Sequence, residues 1–202
     1  MDKSRKRKTL HPCPVCFLHL QRCICHLIPK LDLKTKLTLV VHYRELKRTT
    51  NTGRLAVQAL VNSEMYIRGE GRSPLDLSSL LSPDYESYVL YPSDEAIDLE
   101  NLKPAKPVQL IVSDGNWRQA GKLHRRHAEL EHLPRVRIRE KNEAQHHLRH
   151  EHFAEGFSTL EAIAIALGCL EGDAVKAKLM ALYHAKLRAT LEGRGTAHNA
   201  IR

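Results

Sequence analysis

Short apolar runs alternate along this chain with stretches of helical spacing. "TKLTLVVHY" (residues 35–43) is β-branched, apolar and brief, which predicts a buried strand. "NTGRLAVQALVNS" (51–63) follows, with Leu55, Ala56, Ala59 and Leu60 on one helical face and Asn51 or Thr52 placed to cap it. "RGEGRSP" (68–74) breaks the chain. "SYVLYP" (87–92) predicts a second strand, closed by proline, and "PVQLIVSD" (107–114) a third. "NWRQAGKLHRRHAEL" reads as a helix over 117–130. "PRVRIRE" (134–140) alternates like a strand whose wet face carries Arg135, Arg137 and Arg139.

"STLEAIAIALGCLEG" (158–172) opens with Ser158 and Glu161 at capping-box spacing. Its helix is apolar nearly all round, which predicts burial, with Cys169 as a core thiol. The last segment, "DAVKAKLMALYHAKLRATLEG" (173–193), places Val175, Leu179, Leu182 and Leu187 on one stripe and leaves Lys176, Lys178, Lys186 and Arg188 to solvent. Strands alternating with helices predict an α/β fold: a largely parallel sheet with flanking helices.

Composition narrows the class. The chain has 202 residues, 42% hydrophobic and 27% charged, as a water-soluble globular protein does. No apolar run approaches the ~20 residues a membrane helix needs, so no membrane partner is expected. The start, "MDKSRKRKTL", is basic but is not followed by an apolar region, so it is not read as a secretory signal, and a cytoplasmic location is expected. The formal charge of +9 suits a polyanion such as nucleic acid, because each lysine or arginine near a phosphate releases counterions. Residues 1–10 form a basic arm, 11–30 a cysteine module and 31–202 the α/β domain. No obligate protein partner is evident.

The module "HPCPVCFLHLQRCICH" (11–26) holds Cys13, Cys16, Cys23 and Cys25 as two close pairs. Four thiolates from one short segment match the tetrahedral ligand set of structural zinc. A segment this small has no core of its own, so a metal would supply its folding energy. Disulfides are the rival, and reduced buried thiols the second rival; an intracellular setting disfavours the first, and Pro12 and Pro14 argue against ordinary elements there. The histidine-rich "QHHLRHEHF" (145–153) lacks a complete ligand set and reads as an exposed segment.

If residues 107–114 form an interior parallel strand, Asp114 lies at its carboxyl end, where open α/β sheets bind ligands. Gly115 lets the chain turn there or approach a ligand closely. The plain alternative is a capped strand-to-helix turn with Trp117, the only tryptophan, closing the core.

"DGNW" followed by "RQAGKL" resembles the D-x-T-W signature of the DTW-domain family, with Asn116 where the family has Thr. Four further stretches agree in order: the four cysteines; "HYRELKRTTNTGRLA", with His42, Glu45, Arg48, Asn51 and Thr52; "LYPSDEA"; and "FSTLEAIAIAL". The resemblance spans residues 11–190. It implies a tRNA-uridine aminocarboxypropyltransferase, which moves the 3-amino-3-carboxypropyl group of S-adenosylmethionine to N3 of a tRNA uridine, position 47 in bacterial members. It also implies a SPOUT-like fold with a C-terminal knot.

On that reading Asp114 is the catalytic base. The donor pocket is built from Leu90, Tyr91 and Pro92, from Asp114, Gly115 and Trp117, and from Ser158, Thr159, Glu161 and Ala162. The amides opening the Ser158 helix would face the donor carboxylate. Arg48, Arg54, Arg118, Lys122, Arg125 and Arg126 are the expected contacts to tRNA phosphate. Two other readings stay open: a zinc-stabilised RNA-binding module without chemistry, and methyl transfer from the same donor.

Overall fold

A computed structural model describes residues 9–46, 48–69, 79–115, 127–140, 148 and 156–195. Six strands appear in chain order: β1 (Lys36–His42), β2 (Ser63–Arg68), β3 (Glu86–Leu90), β4 (Ile97–Asp98), β5 (Val108–Asp114) and β6 (Arg135–Arg137). They form one sheet in the order β2-β1-β5-β3-β6-β4, and every pairing is parallel. Among the described residues the helices are α1 (Gly53–Ala59), α2 (Ala128–Glu131), α3 (Thr159–Glu171) and α4 (Asp173–Arg194). Among the described residues no helix is long and apolar enough to cross a membrane.

Alternation along the central strands explains the layers. Side chains point to opposite faces with period two. Leu37, Leu39, Leu110 and Val112 face one way and pack with Leu55, Leu160, Ile163, Ala164, Leu167, Leu179 and Leu182 of the helices. Val40, Val89 and Ile111 face the other way, against Leu80 and Leu130. Gln109 shares that second face and is fully buried. Its amide donates to Thr38 Oγ1 at 2.8 Å and to the Leu80 carbonyl at 2.7 Å, while its oxygen accepts from the Ser87 hydroxyl at 2.9 Å. A buried amide so satisfied costs little and fixes the register of three strands.

The capping box forms as the sequence predicts. Glu161 accepts from the Ser158 amide at 2.8 Å, and the Glu161 amide donates to Ser158 Oγ at 3.4 Å. α3 is buried from Leu160 to Leu167 and stops at Gly172, whose φ of 101° favours glycine and turns the chain directly into α4.

Four expectations need correction. The helix read over 51–63 ends at Ala59, and Ser63–Arg68 forms edge strand β2 instead, because Ser63 pairs in parallel with Leu37. Strand β4, two residues long, carries no apolar pattern and was not expected. Cys169 is exposed, since the last turn of α3 emerges beyond the core. Lys186 is fully buried, not solvated. Of the helix expected over 117–130, all but the last four positions lie outside the described residues, as do the arm at 1–8 and most of the histidine-rich segment; of that segment only Leu148 is described, and it is buried.

The β4–β6 edge is closed by charge. Asp98 accepts from Arg137 Nε at 2.7 Å and pairs with Arg139 Nη2 at 2.6 Å. These two guanidiniums hold the Asp98 carboxyl below its ordinary value. A carboxyl depressed in the folded state stabilises fully above its unfolded value, roughly pH 4, and that stability is lost as pH falls through the folded value. Asp98→Asn is therefore expected to leave the acid limb of a Tm-against-pH curve shallower below pH ~4. An acid limb identical to the parent's would show that the pair contributes nothing.

Candidate active site and cysteine centre

The carboxyl ends of β1, β5 and β3 form one rim. Val41 pairs with Asp114, and Leu90 pairs with Val112, so the loops that follow these strands emerge side by side. The chain leaves β1 for the β2 edge, but it leaves β5 toward β6 on the other side. The β1/β5 boundary is thus the switch point of the sheet, the place where such sheets open a ligand crevice.

Asp114 continues the parity of Leu110 and Val112, so its side chain turns to the face covered by α1 and α3. It is 6% exposed. The Thr159 hydroxyl at the start of α3 donates to Asp114 Oδ1 at 2.6 Å, and the Asn51 side-chain amide donates to Oδ2. Asn51 Oδ1 in turn accepts from the Arg54 amide at 3.2 Å, which ties it to the first turn of α1. Thr52 occupies the cap position, but its hydroxyl reaches across to accept from the Leu160 amide at 3.1 Å. Three segments far apart in sequence are thereby joined around one carboxylate.

Gly53 lies beneath this cluster. A Cβ there would stand 3.0 Å from Asp114 Oδ2 and 3.1 Å from Thr159 Cγ2. Gly53→Ala is expected to push the carboxylate and Thr159 apart by tenths of an ångström. The strain should lower Tm, with the gain in helix propensity, roughly 0.5–1 kcal/mol, offsetting only part of it. A melting curve checks this; an unchanged or raised Tm would show that the cluster yields without cost.

Other rim groups are already engaged. His42 ends β1, where its Nδ1 accepts from the Arg44 amide at 3.2 Å. Burial, then the charges of Arg68 and Arg44, hold its imidazole below the ordinary value, so it is neutral at pH 7. Glu45 is buried and pairs with Arg48 Nε at 3.4 Å. At the start of α3, the Leu160, Glu161 and Ala162 amides donate to Thr52, Ser158 Oγ and the Ser158 carbonyl. The helix start expected to face the donor carboxylate thus has these amides occupied from within the chain.

Of the residues singled out from sequence, the structure brings Thr159 to Asp114. Leu90 ends β3 and Tyr91 and Pro92 follow it, with Tyr91 packed on the opposite face of the sheet; Asp114 ends β5 and Gly115 follows it; Ser158 caps α3, which Thr159, Glu161 and Ala162 open. Glu161 serves in the capping box. Trp117, Arg118, Lys122, Arg125 and Arg126 lie outside the described residues. Arg48 is half exposed beside Glu45. Arg54 turns inward: its guanidinium lies 4.0 Å from the centre of the Phe17 ring, and Nη1 donates to the Leu46 carbonyl at 3.1 Å. Asn51 and Gly53 are the site residues whose roles the sequence did not reveal. The order Asn-Thr-Gly before a helix was the available signal.

The cysteine centre lies in the module that Arg54, in the first turn of α1, meets through Phe17. The four Sγ atoms of Cys13, Cys16, Cys23 and Cys25 lie within 4.8 Å of one another. Cys13 is 3.5 Å from Cys25 and 3.6 Å from Cys23, and Cys16 is 3.9 Å from Cys23. Zinc bound tetrahedrally at ~2.3 Å requires sulfur–sulfur edges of about 3.8 Å. The donor set, the spacing and the four free thiols all fit a closed site of four cysteine ligands. The loop between the first pair is tight: the Cys13 amide donates to the Leu18 carbonyl at 2.7 Å, and the Phe17 amide to the Cys13 carbonyl at 2.9 Å. Phe17 takes φ 57°, a conformation that costs a bulky L-residue about 1–2 kcal/mol.

A parallel α/β sheet with a buried carboxylate at its switch point and a four-cysteine module fits one family in sequence as well. The chain belongs to the DTW domain family, whose match covers residues 11–191. It is 27% identical over 169 residues to the tRNA-uridine aminocarboxypropyltransferase 2 of Macaca fascicularis, covering 79% of this chain and 56% of that protein. The Mus musculus protein of the same name is 28% identical over the same shares. That of Drosophila melanogaster is 25% identical over 167 residues, 79% of this chain and 66% of that protein. The chain thus spans about half the length of the first two. No solved structure matches it.

Proposed function

We propose that this chain transfers the 3-amino-3-carboxypropyl group from S-adenosylmethionine to N3 of a uridine in tRNA, with the variable-loop position 47 as the expected target. One observation carries the reading: in a DTW-family chain, a carboxylate at the sheet's switch point is gripped by Asn51 and Thr159. Relatives bearing the name of that activity support it.

The chemistry needs a base and an aligned carbon. Uridine N3 carries a proton and attacks poorly until it is removed. Asp114 accepts that proton; the N3–Cγ bond forms as the Cγ–S bond breaks, and the sulfur keeps the electron pair, leaving neutral methylthioadenosine. A positioned base contributes about 10²- to 10⁴-fold. Asn51 and Thr159 hold both oxygens, which fixes the orientation of the carboxylate. Further acceleration comes from holding Cγ, not the methyl group, in line with N3. Tyr91 and Pro92, in the loop after β3, and Gly115, directly after Asp114, are the proposed lining of the donor crevice at this end of the sheet. Arg48, together with Arg118, Lys122, Arg125 and Arg126, supplies phosphate contacts. Cys13, Cys16, Cys23 and Cys25 would hold zinc, which in a four-thiolate site has no open position for chemistry and supplies folding energy.

Incubation with unmodified tRNA and S-adenosylmethionine labelled on either the carboxyl or the methyl carbon tests the reading. Carboxyl label in the RNA is expected. Methyl label alone would convert the assignment to a methyltransferase, and label from neither would leave an RNA-binding module.

A further inference from the structure

Two cations are turned toward the cysteine centre from the α/β domain, and neither has a carboxylate partner among the described residues. Lys186 of α4 is fully buried, and its ammonium donates to the Cys16 carbonyl at 2.6 Å. Arg54 of α1 faces the same module across the Phe17 ring, and its buried Nε makes no hydrogen bond among the described residues. Among the described residues each donates to a neutral carbonyl, Lys186 to that of Cys16 and Arg54 to that of Leu46.

An ammonium with no exposed surface and one neutral acceptor is costly, because burying an unpaired charge costs several kcal/mol. Four protonated thiols would not relieve it. Four thiolates around a divalent metal carry a net charge of −2, which two cations neutralise.

We propose that Lys186 and Arg54 are the built-in counterions of a tetrathiolate metal centre, so that the metal joins the amino-terminal module to α1 and α4 electrostatically. The inference rests on the four cysteines binding metal, which elemental analysis of the full chain, purified without chelator, tests by itself. Zinc near one equivalent is expected; its absence overturns both readings.

With zinc present, a thermodynamic cycle tests the counterion role alone. Lys186→Met keeps length and removes charge. In wild type, zinc removal leaves two buried cations uncompensated. In the variant it leaves one fewer, so the metal-free variant is expected to melt higher than the metal-free wild type, and the Tm gain on adding zinc is expected to shrink. The variant should also release zinc to a chromogenic chelator about tenfold faster, as loss of a metal's outer partner does. A lysine that merely fills space predicts an unchanged Tm gain and an unchanged release rate, and either result overturns the counterion role. Labelling needs no variant: in wild type, acetylation of Lys186 should be negligible with zinc bound and should approach that of exposed Lys178 after chelation. Continued protection of Lys186 in the metal-free protein overturns the proposal as well.

Discussion

Asp114→Asn is expected to abolish measurable transfer, a loss of at least ~10²-fold, while S-adenosylmethionine still binds. Asparagine preserves the volume and one acceptor oxygen, so the Thr159 hydroxyl keeps its partner, while its amide nitrogen meets the Asn51 amide donor to donor and cannot take the N3 proton. Asp114→Ala removes both acceptors and strands the Asn51 amide and the Thr159 hydroxyl, each at a cost of about 1–3 kcal/mol when buried. The alanine variant should therefore lose more stability than the asparagine variant, and both should lose activity. The pair separates a base from a clamp. Normal single-turnover rates in Asp114→Asn, with only the melting temperature lowered, would assign the carboxylate to architecture and end the general-base proposal.

Loss of the metal should be the largest stability effect. Cys13→Ser removes a thiol close to both Cys23 and Cys25. The segment contributes Cys13, Cys16, Leu18 and Ile24 to the main core, so its release exposes apolar surface on α4. A penalty of about 5 kcal/mol would lower Tm by roughly 10–20 °C for a chain of this size. Cys169→Ser is the control: its thiol is exposed and remote from the centre, so it should melt as wild type does. If Cys13→Ser retained a full equivalent of zinc and the parental Tm, the four-thiolate site would be wrong.

The layers of the fold were legible wherever burial imposed a period. β1 and β5 are read from their apolar runs, and α3 from its capping box and uniform apolarity. β2 was missed because "SEMYIR" lies at the sheet edge, half-exposed, where alternation is weak. The order of strands has no local signature at all. Asp114 was found by its place at a strand end, whereas its partners stand 63 and 45 residues away and meet it only in the folded chain. Lys186 was misplaced for an instructive reason. Leu179, Leu182, Tyr183 and Lys186 follow helical spacing, and all four are buried. The usual exposure of lysine prevailed over the periodicity, and the carbonyl that accepts from its ammonium lies 170 residues earlier.

β5 lies between two strands that precede it in the chain. Until residue 114 has left the ribosome, β1 can pair only with β2, and β3 has no partner strand at all, because β6 also comes later. Closing that gap requires contacts distant in sequence, which slows folding. The strand bearing the carboxylate is thus the keystone of translation-coupled assembly: a chain truncated before it would yield neither a continuous sheet nor a crevice.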